Sequence, residues 1–196
     1  VVSLYKVNIV IIRSIDLVLA TIGLIIGLPV LILLFVIGLF DTGSPLFFQT
    51  RVGRYQRPFT LIKFRTMHPD TQSIATHLAS PTAITKFGGF LRRTKLDELP
   101  QLWNVVKGEM SLVGPRPCLL SQTELIEERA ARNVFNSRPG ITGLAQIKGI
   151  DMSTPALLAE TDAQMLTTMC IPAYFRYVIS TLTGSGRGDR IQQGKE

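Results

Sequence analysis

Two adjacent carboxylates, Asp97 and Glu98, stand in the run Thr94-Lys95-Leu96-Asp97-Glu98-Leu99-Pro100, immediately after Arg92, Arg93 and Lys95. Carboxylates beside cations suit a short list of tasks: moving a proton, attacking an electrophile, or holding a metal while the cations hold an anionic substrate. Leu99, Leu102, Trp103 and Val106 follow i, i+3, i+4, i+7, which predicts one apolar helix face closed near Gly108. The two acids then fall at the helix start. Acids are common there for a plain reason, since free amides and the helix dipole favour negative charge. Dipole and cations together are expected to keep Asp97 ionised, as a carboxylate nucleophile or metal ligand must be. Neighbouring helical positions point about 100° apart, so the two acids can serve different partners.

Arg116 is the second candidate. Prolines on both sides, in Gly114-Pro115-Arg116-Pro117, stiffen the backbone and suit bidentate contact with phosphate. The bland alternative is a turn arginine facing solvent. Arg138-Pro139-Gly140 repeats the pattern more weakly. Lys63 and Arg65 share one face of an expected strand, where a solvated edge and a phosphate contact fit equally. His68 and His77 are nine apart in a polar loop without Cys or acidic neighbours, which gives no metal-site pattern. The run also lacks a GxxxxGK[ST] loop. Gly184–Asp189 mimics a dinucleotide loop, but no strand precedes it and no helix follows.

The surrounding chain has two compositional extremes. It is 46% hydrophobic, only 18% charged, and carries net +7 over 196 residues. That excludes a disordered chain, and two cysteines exclude a disulfide scaffold. The hydrophobicity gathers in residues 17–40, which hold no charge. Such a run is a membrane segment, about 36 Å long if straight. Pro29 near its middle predicts a kink. Both a tilted span and a turn back to the same face fit these observations, and the flanking cations favour the cytoplasm for the C-terminal side and, more weakly through Lys6 and Arg13, for the N-terminal side too. The charge gathers next to it. Residues 51–96 hold nine Lys/Arg against one acid, Asp70, so the remainder of the chain sums to −1. A polybasic stretch on anionic lipid and a pocket for phosphates are both consistent with this.

Around these features the chain reads as mainly helical α+β. LFFQTRVG and RPFTLIKFRTM predict a small hairpin, and residues 68–84 a polar surface loop. Thr85–Arg93 and residues 119–134 predict helices. Arg138–Gly143 reads as a turn. Thr154-Pro155 starts another helix, Pro172 breaks it, and Ala173–Leu182 has the aromatic pattern of an interfacial helix. Residues 184–196 read as a loose tail.

The ordered set Lys63–Met67, Phe90–Pro117 and Arg138–Gly149 resembles the bacterial sugar transferase family, the monotopic polyprenyl-phosphate phosphoglycosyl transferases, over roughly 70% of the chain. The resemblance implies a re-entrant, proline-broken anchor (residues 1–41, break at Leu28-Pro29). A catalytic domain (42–183) and the tail (184–196) follow, as in minimal members. It implies transfer of a sugar-1-phosphate from a UDP-sugar to undecaprenyl phosphate, with Mg²⁺, at the cytoplasmic face of the bacterial inner membrane. UMP would be released, and the step would begin assembly of a bacterial glycan. Asp97 then matches the nucleophile and a Mg²⁺ contact, Glu98 the base, and Arg92 and Arg116 the phosphate-binding arginines. Lys63, Arg65 and Arg138 join them as phosphate-binding candidates. Leu144, Lys148, Ala83 and Gly89 depart from residues frequent in the family, which leaves the sugar open. Two rivals remain at this point: a membrane-bound phosphohydrolase, and a non-catalytic basic module on lipid or nucleic acid. The unexplained Asp-Glu pair and the strand-like runs within the basic segment favour the transferase, without nucleic acid.

Overall fold

A 41-residue helix, α1 (Val2–Thr42), opens the computed structural model, which describes residues 2–71 and 81–183. Helical backbone continues through Leu28 and Pro29, so the turn expected there is not seen as an interruption of the helix. Residues Val10–Thr42 are long and apolar enough to cross a membrane, and only 11% of their most apolar stretch is buried. What is buried is informative. Ala20 packs with Phe59, Leu61, Val105 and Met110, while Leu34 packs with Phe64 and Leu91. Arg13 and Asp16 near one end, and Asp41 at the other, make polar contacts to the same body. Fully burying an aliphatic side chain contributes about 1.5–3 kcal/mol, so these contacts fix α1 along its length.

The expected hairpin is present. β1 (Leu46–Val52) pairs antiparallel with β2 (Pro58–Phe64), from Leu46 opposite Phe64 to Val52 opposite Pro58. A 3₁₀ turn, Arg54–Gln56, joins them. Next come α2 (Lys86–Thr94), capped by the Thr85 hydroxyl accepting from the Gly88 N–H, and α3 (Gln101–Lys107), closed by Gly108 in the left-handed region (φ 87°). β3 (Ser111–Val113), α4 (Thr123–Ala131), β4 (Gly140–Thr142) and α5 (Leu144–Lys148) follow. The chain continues through α6 (Pro155–Thr167) and α7 (Ile171–Leu182), with Pro172 in the first turn of α7. α7 buries Ala173, Tyr174 and Tyr177 and exposes Phe175, Ile179 and Leu182, so it is amphipathic. The polar loop expected over 68–84 lies mostly outside the described residues, with His77, and so does the 184–196 tail.

Two expectations are corrected. The Arg138–Gly143 segment is not only a turn: Gly140–Thr142 is a strand paired in parallel with β3. The close approach depends on two glycines, since a Cβ on Gly140 would sit 2.0 Å from the Gly114 nitrogen. Three-residue strands carry too little alternation to be read from sequence. In addition, the Leu99-Leu102-Trp103-Val106 face is not uniformly the core face. Trp103 is 52% exposed, and fully buried Asn104 takes the inward position. Its amide bridges the edge of β2, accepting from the Ile62 N–H (3.1 Å) and donating to the Thr60 carbonyl (2.8 Å).

Candidate active site

Asp97 and Glu98 occupy a 3₁₀ turn, Leu96–Glu98, between α2 and α3 rather than the first turn of α3. Pro100 has no N–H to donate back to Leu96, so the α3 ladder cannot extend into that turn. On the other side Lys95 adopts a left-handed conformation (φ 59°) and closes α2 by donating its N–H to the Arg92 carbonyl. This reversal carries Asp97 inward, where it is 9% exposed, while Glu98 stays half-buried.

Burial is the dominant influence on Asp97. It raises the carboxyl pKa to about 6, with the Glu98 charge adding to the rise and Lys63, Arg92 and Arg116 opposing it. Dipole and cations favour the ionised form, but desolvation acts in the other direction and exceeds them. At neutral pH the carboxylate still predominates. Glu98 accepts from Arg116 Nη2 at 2.9 Å, within a half-buried ion pair. Arg92 donates through Nε to the Thr66 hydroxyl (2.9 Å) at the end of the hairpin. Lys95 reaches the Thr181 carbonyl (3.4 Å) in α7, and its ammonium pKa is lowered by burial against the opposing pull of Glu98.

Lys63, Arg92 and Arg116 therefore act on one carboxylate, and Lys95 borders it. Two other candidates stand elsewhere. Arg65 donates to the Ser44 carbonyl (2.8 Å) and covers the Phe47 ring. Arg138 donates to the Gly108 carbonyl (2.9 Å) at the end of α3, with Arg13 and Arg54 as its charged neighbours.

What fixes Arg116 was not legible in its two prolines alone. Arg129 in α4 donates Nη1 to the Arg116 carbonyl (2.8 Å) and Nε and Nη2 to Asp162 in α6 (3.0 and 2.6 Å). Both partners are almost fully buried, at 2% and 1% exposure. From the hairpin, Arg51 donates to the Pro117 carbonyl (3.0 Å), and the Gly140 N–H in β4 donates to the Pro115 carbonyl (2.9 Å). Arg51 thus leaves the basic surface strip that its sequence position suggested; it is a buried brace. Arg129 looked like one charge among many in a charged helix.

The acids also bear on a metal. Mg²⁺ is usually held by one or two carboxylates plus water and substrate phosphates, not by an all-protein cage. Asp97 and Glu98 fit that donor set, and no group of three potential metal-ligating side chains occurs among the described residues. An open apolar groove of about 360 Å³ lies between α1 and the body. Leu24, Leu31, Phe35, Ile62, Pro100 and Trp103 line it.

Residues 7–185 match the family described as bacterial sugar transferase. The chain belongs to that family. It is 50% identical over 108 residues to the uncharacterized sugar transferase EpsL of Bacillus subtilis (strain 168), covering 55% of this chain and 53% of EpsL. It is 41% identical over 145 residues to the UDP-glucose:undecaprenyl-phosphate glucose-1-phosphate transferase of Caulobacter vibrioides, covering 70% and 54% of the two chains. Against the exopolysaccharide production protein ExoY of Rhizobium meliloti (strain 1021) identity is 33% over 188 residues, or 87% and 83%. The chain spans about a third to a half of the length of several such relatives, from 32% to 54%.

Proposed function

We propose that this chain transfers a sugar-1-phosphate from a UDP-sugar to undecaprenyl phosphate and releases UMP. The observation that carries this reading is one buried carboxylate under the joint influence of Lys63, Arg92 and Arg116, with a second carboxylate tethered beside it by Arg116. An Asp97 oxygen attacks the sugar-proximal phosphorus. The bond from that phosphorus to the bridging oxygen breaks, and UMP carries the electron pair away. The product is a mixed anhydride between the Asp97 carboxyl and the sugar phosphate. Splitting one displacement into two in this way is the usual benefit of a covalent intermediate. An oxygen of the lipid phosphate then attacks the same phosphorus, and the Asp97 carboxylate is regenerated. Glu98 accepts a proton from any lipid phosphate that arrives as the monoanion, whose second pKa is near 6. Arg92, Arg116 and Lys63 offset charge on the phosphoryl oxygens. Asp97, with Glu98 beside it, would hold Mg²⁺, which when bound neutralises diphosphate charge.

The apolar groove suits the polyprenyl chain. It lies between α1 and the body, with Pro100, three residues after Asp97 in the sequence, on its wall. α1 is read as re-entrant, with both ends at the cytoplasmic face of the inner membrane and the bend at Leu28-Pro29. Support comes from its contacts: residues 13–16 and residues 34–41 touch one body, which a helix crossing the bilayer between them would not allow. The test is UMP release from a panel of UDP-sugars, with undecaprenyl phosphate and Mg²⁺. Asp97→Asn is expected to abolish release and to lose a phosphosugar adduct visible by intact-mass measurement. Full activity in that variant, or turnover without the lipid phosphate, would overturn the reading.

A further inference from the structure

A second cationic cluster lies away from Asp97. Arg13 of α1, Arg54 of the hairpin turn and Arg138 before β4 line a cavity of about 110 Å³, walled by Ile12, Val113, Leu166, Met169 and Tyr174. That is room for more than one water molecule. The one carboxylate on its wall, Asp16, spends Oδ1 on Ser111, the Leu112 N–H and Tyr174, and its Oδ2 lies 4.0 Å from Arg13. Three guanidinium groups thus share a single acid.

A structural role accounts for part of this. Arg13 donates to the Val105 (2.8 Å), Val106 and Met110 carbonyls, and Arg138 to Gly108, so both cap the C-terminal end of α3. It does not account for all of it. Among the described residues Arg138 and Arg54 donate hydrogen bonds only through Nε, Arg54 to the Asn136 carbonyl at 2.8 Å with its guanidinium over the Tyr55 ring, and both residues line the cavity. Arg13 and Arg54 also depress the pKa of Arg138 after burial, as crowded cations do. No charged group acting on Asp97 belongs to this set.

We propose that Arg13, Arg54 and Arg138 form a second anion site that takes a phosphate group, distinct from the candidate active site. Guanidinium forks match phosphate oxygens in geometry and charge. Arg13 sits four residues before the uncharged run at 17–40, which puts the site where α1 leaves its polar surroundings. The phosphate can therefore belong to an anionic lipid headgroup or to a soluble ion. The proposal does not depend on the transferase reading, because its test measures binding rather than turnover.

Hydrogen exchange on the full chain in detergent micelles provides that test. One arm titrates inorganic phosphate and a second short-chain phosphatidylglycerol, with phosphatidylcholine as the control. Slowed exchange over residues 105–112 and 133–142 is expected. Slowing in the phosphate arm assigns the site to the ion itself, and slowing in the lipid arm alone assigns it to the headgroup. Arg54→Gln should raise the half-saturating concentration roughly ten-fold, equivalent to one charge-assisted contact of about 1.4 kcal/mol. Arg54→Lys, which keeps the charge and loses the fork, should fall between the two. No slowing in either arm of the unmodified protein overturns the proposal. So does slowing that both Arg54 variants leave unchanged, or slowing equally strong with phosphatidylcholine.

Discussion

Burial of Asp97 disfavours the carboxylate, the form that the proposed reaction requires. Its carboxyl is raised from 3.8 to about 6 mainly by desolvation, and the three nearby cations recover only part of that cost. Two results should follow. With Asp97 as the proposed nucleophile, the acid limb of kcat/KM for the UDP-sugar should have its midpoint near pH 6 and fall about ten-fold per pH unit below it, because only a carboxylate can attack. A limb centred near pH 4, measured by UMP release, would mean that burial does not govern this group. The second result concerns stability. A raised carboxyl pKa means that the folded protein holds more protons than the unfolded chain between about pH 4 and 6, so stability falls as pH rises through that window and is flat above it. Asp97→Asn removes the penalty. It should stabilise the protein by roughly 1–3 kcal/mol at pH 7.5 and change little at pH 4. Unfolding in detergent at the two pH values checks this, and an asparagine variant less stable at pH 7.5 would contradict it.

Whole elements matter because they fix where the arginines act. Arg116 lies on a segment braced by α4, β1 and β4, and the central brace is the buried Arg129–Asp162 pair. Replacing one member of a buried pair leaves the other charge unpaired, typically at 3–5 kcal/mol. Arg129→Met should therefore lower stability by about that much. Arg129→Met with Asp162→Leu should restore most of it. If Arg129 also positions Arg116, the stable double variant should still show reduced kcat, since the Arg116 carbonyl has lost its donor. Recovery of both stability and kcat would reduce the pair to a packing role. The brace shows where sequence reasoning stops. The hairpin, α2, the Gly108 end of α3, and α6 and α7 follow from periodicity, caps and prolines, which are local signals. The Asp97-Glu98 pair and the flanking cations are also contiguous in sequence. Arg129, Asp162, Asn104 and the β3–β4 pair act through contacts between distant segments, and no local pattern distinguishes them from ordinary charged or polar positions. Trp103 has the right helical phase for a core residue, yet it faces the groove beside α1 because Asn104 takes the inward position to bridge the β2 edge.

For the molecule as a whole, the decisive question is how α1 meets the bilayer. Its uncharged run is long enough to span, and Pro29 in its middle allows a bend without requiring one. The tertiary contacts weigh against a span. Arg13 holds the carbonyl end of α3 and Asp16 holds β3, while Leu34 packs on Phe64 and Leu91, and Asp41 accepts from Thr85 at 2.7 Å. A body that grips both ends of the apolar run would have to lie inside the hydrocarbon if α1 crossed it, and buried charged groups of this kind are costly there. A bend that lowers only the exposed middle, Ile25 to Leu33, into lipid keeps both polar ends in water. The native cysteines make this measurable. Cys118 is buried and Cys170, on the body between α6 and α7, is exposed. The unmodified chain thus reports the side on which the body lies, and Ser3→Cys with Cys170→Ser reports the N-terminal end of α1. A membrane-impermeant maleimide should label both proteins in inside-out vesicles and neither in right-side-out vesicles. Labelling of the two cysteines from opposite faces would establish a span, and the contacts at one end of α1 would then have to open when the protein enters the membrane.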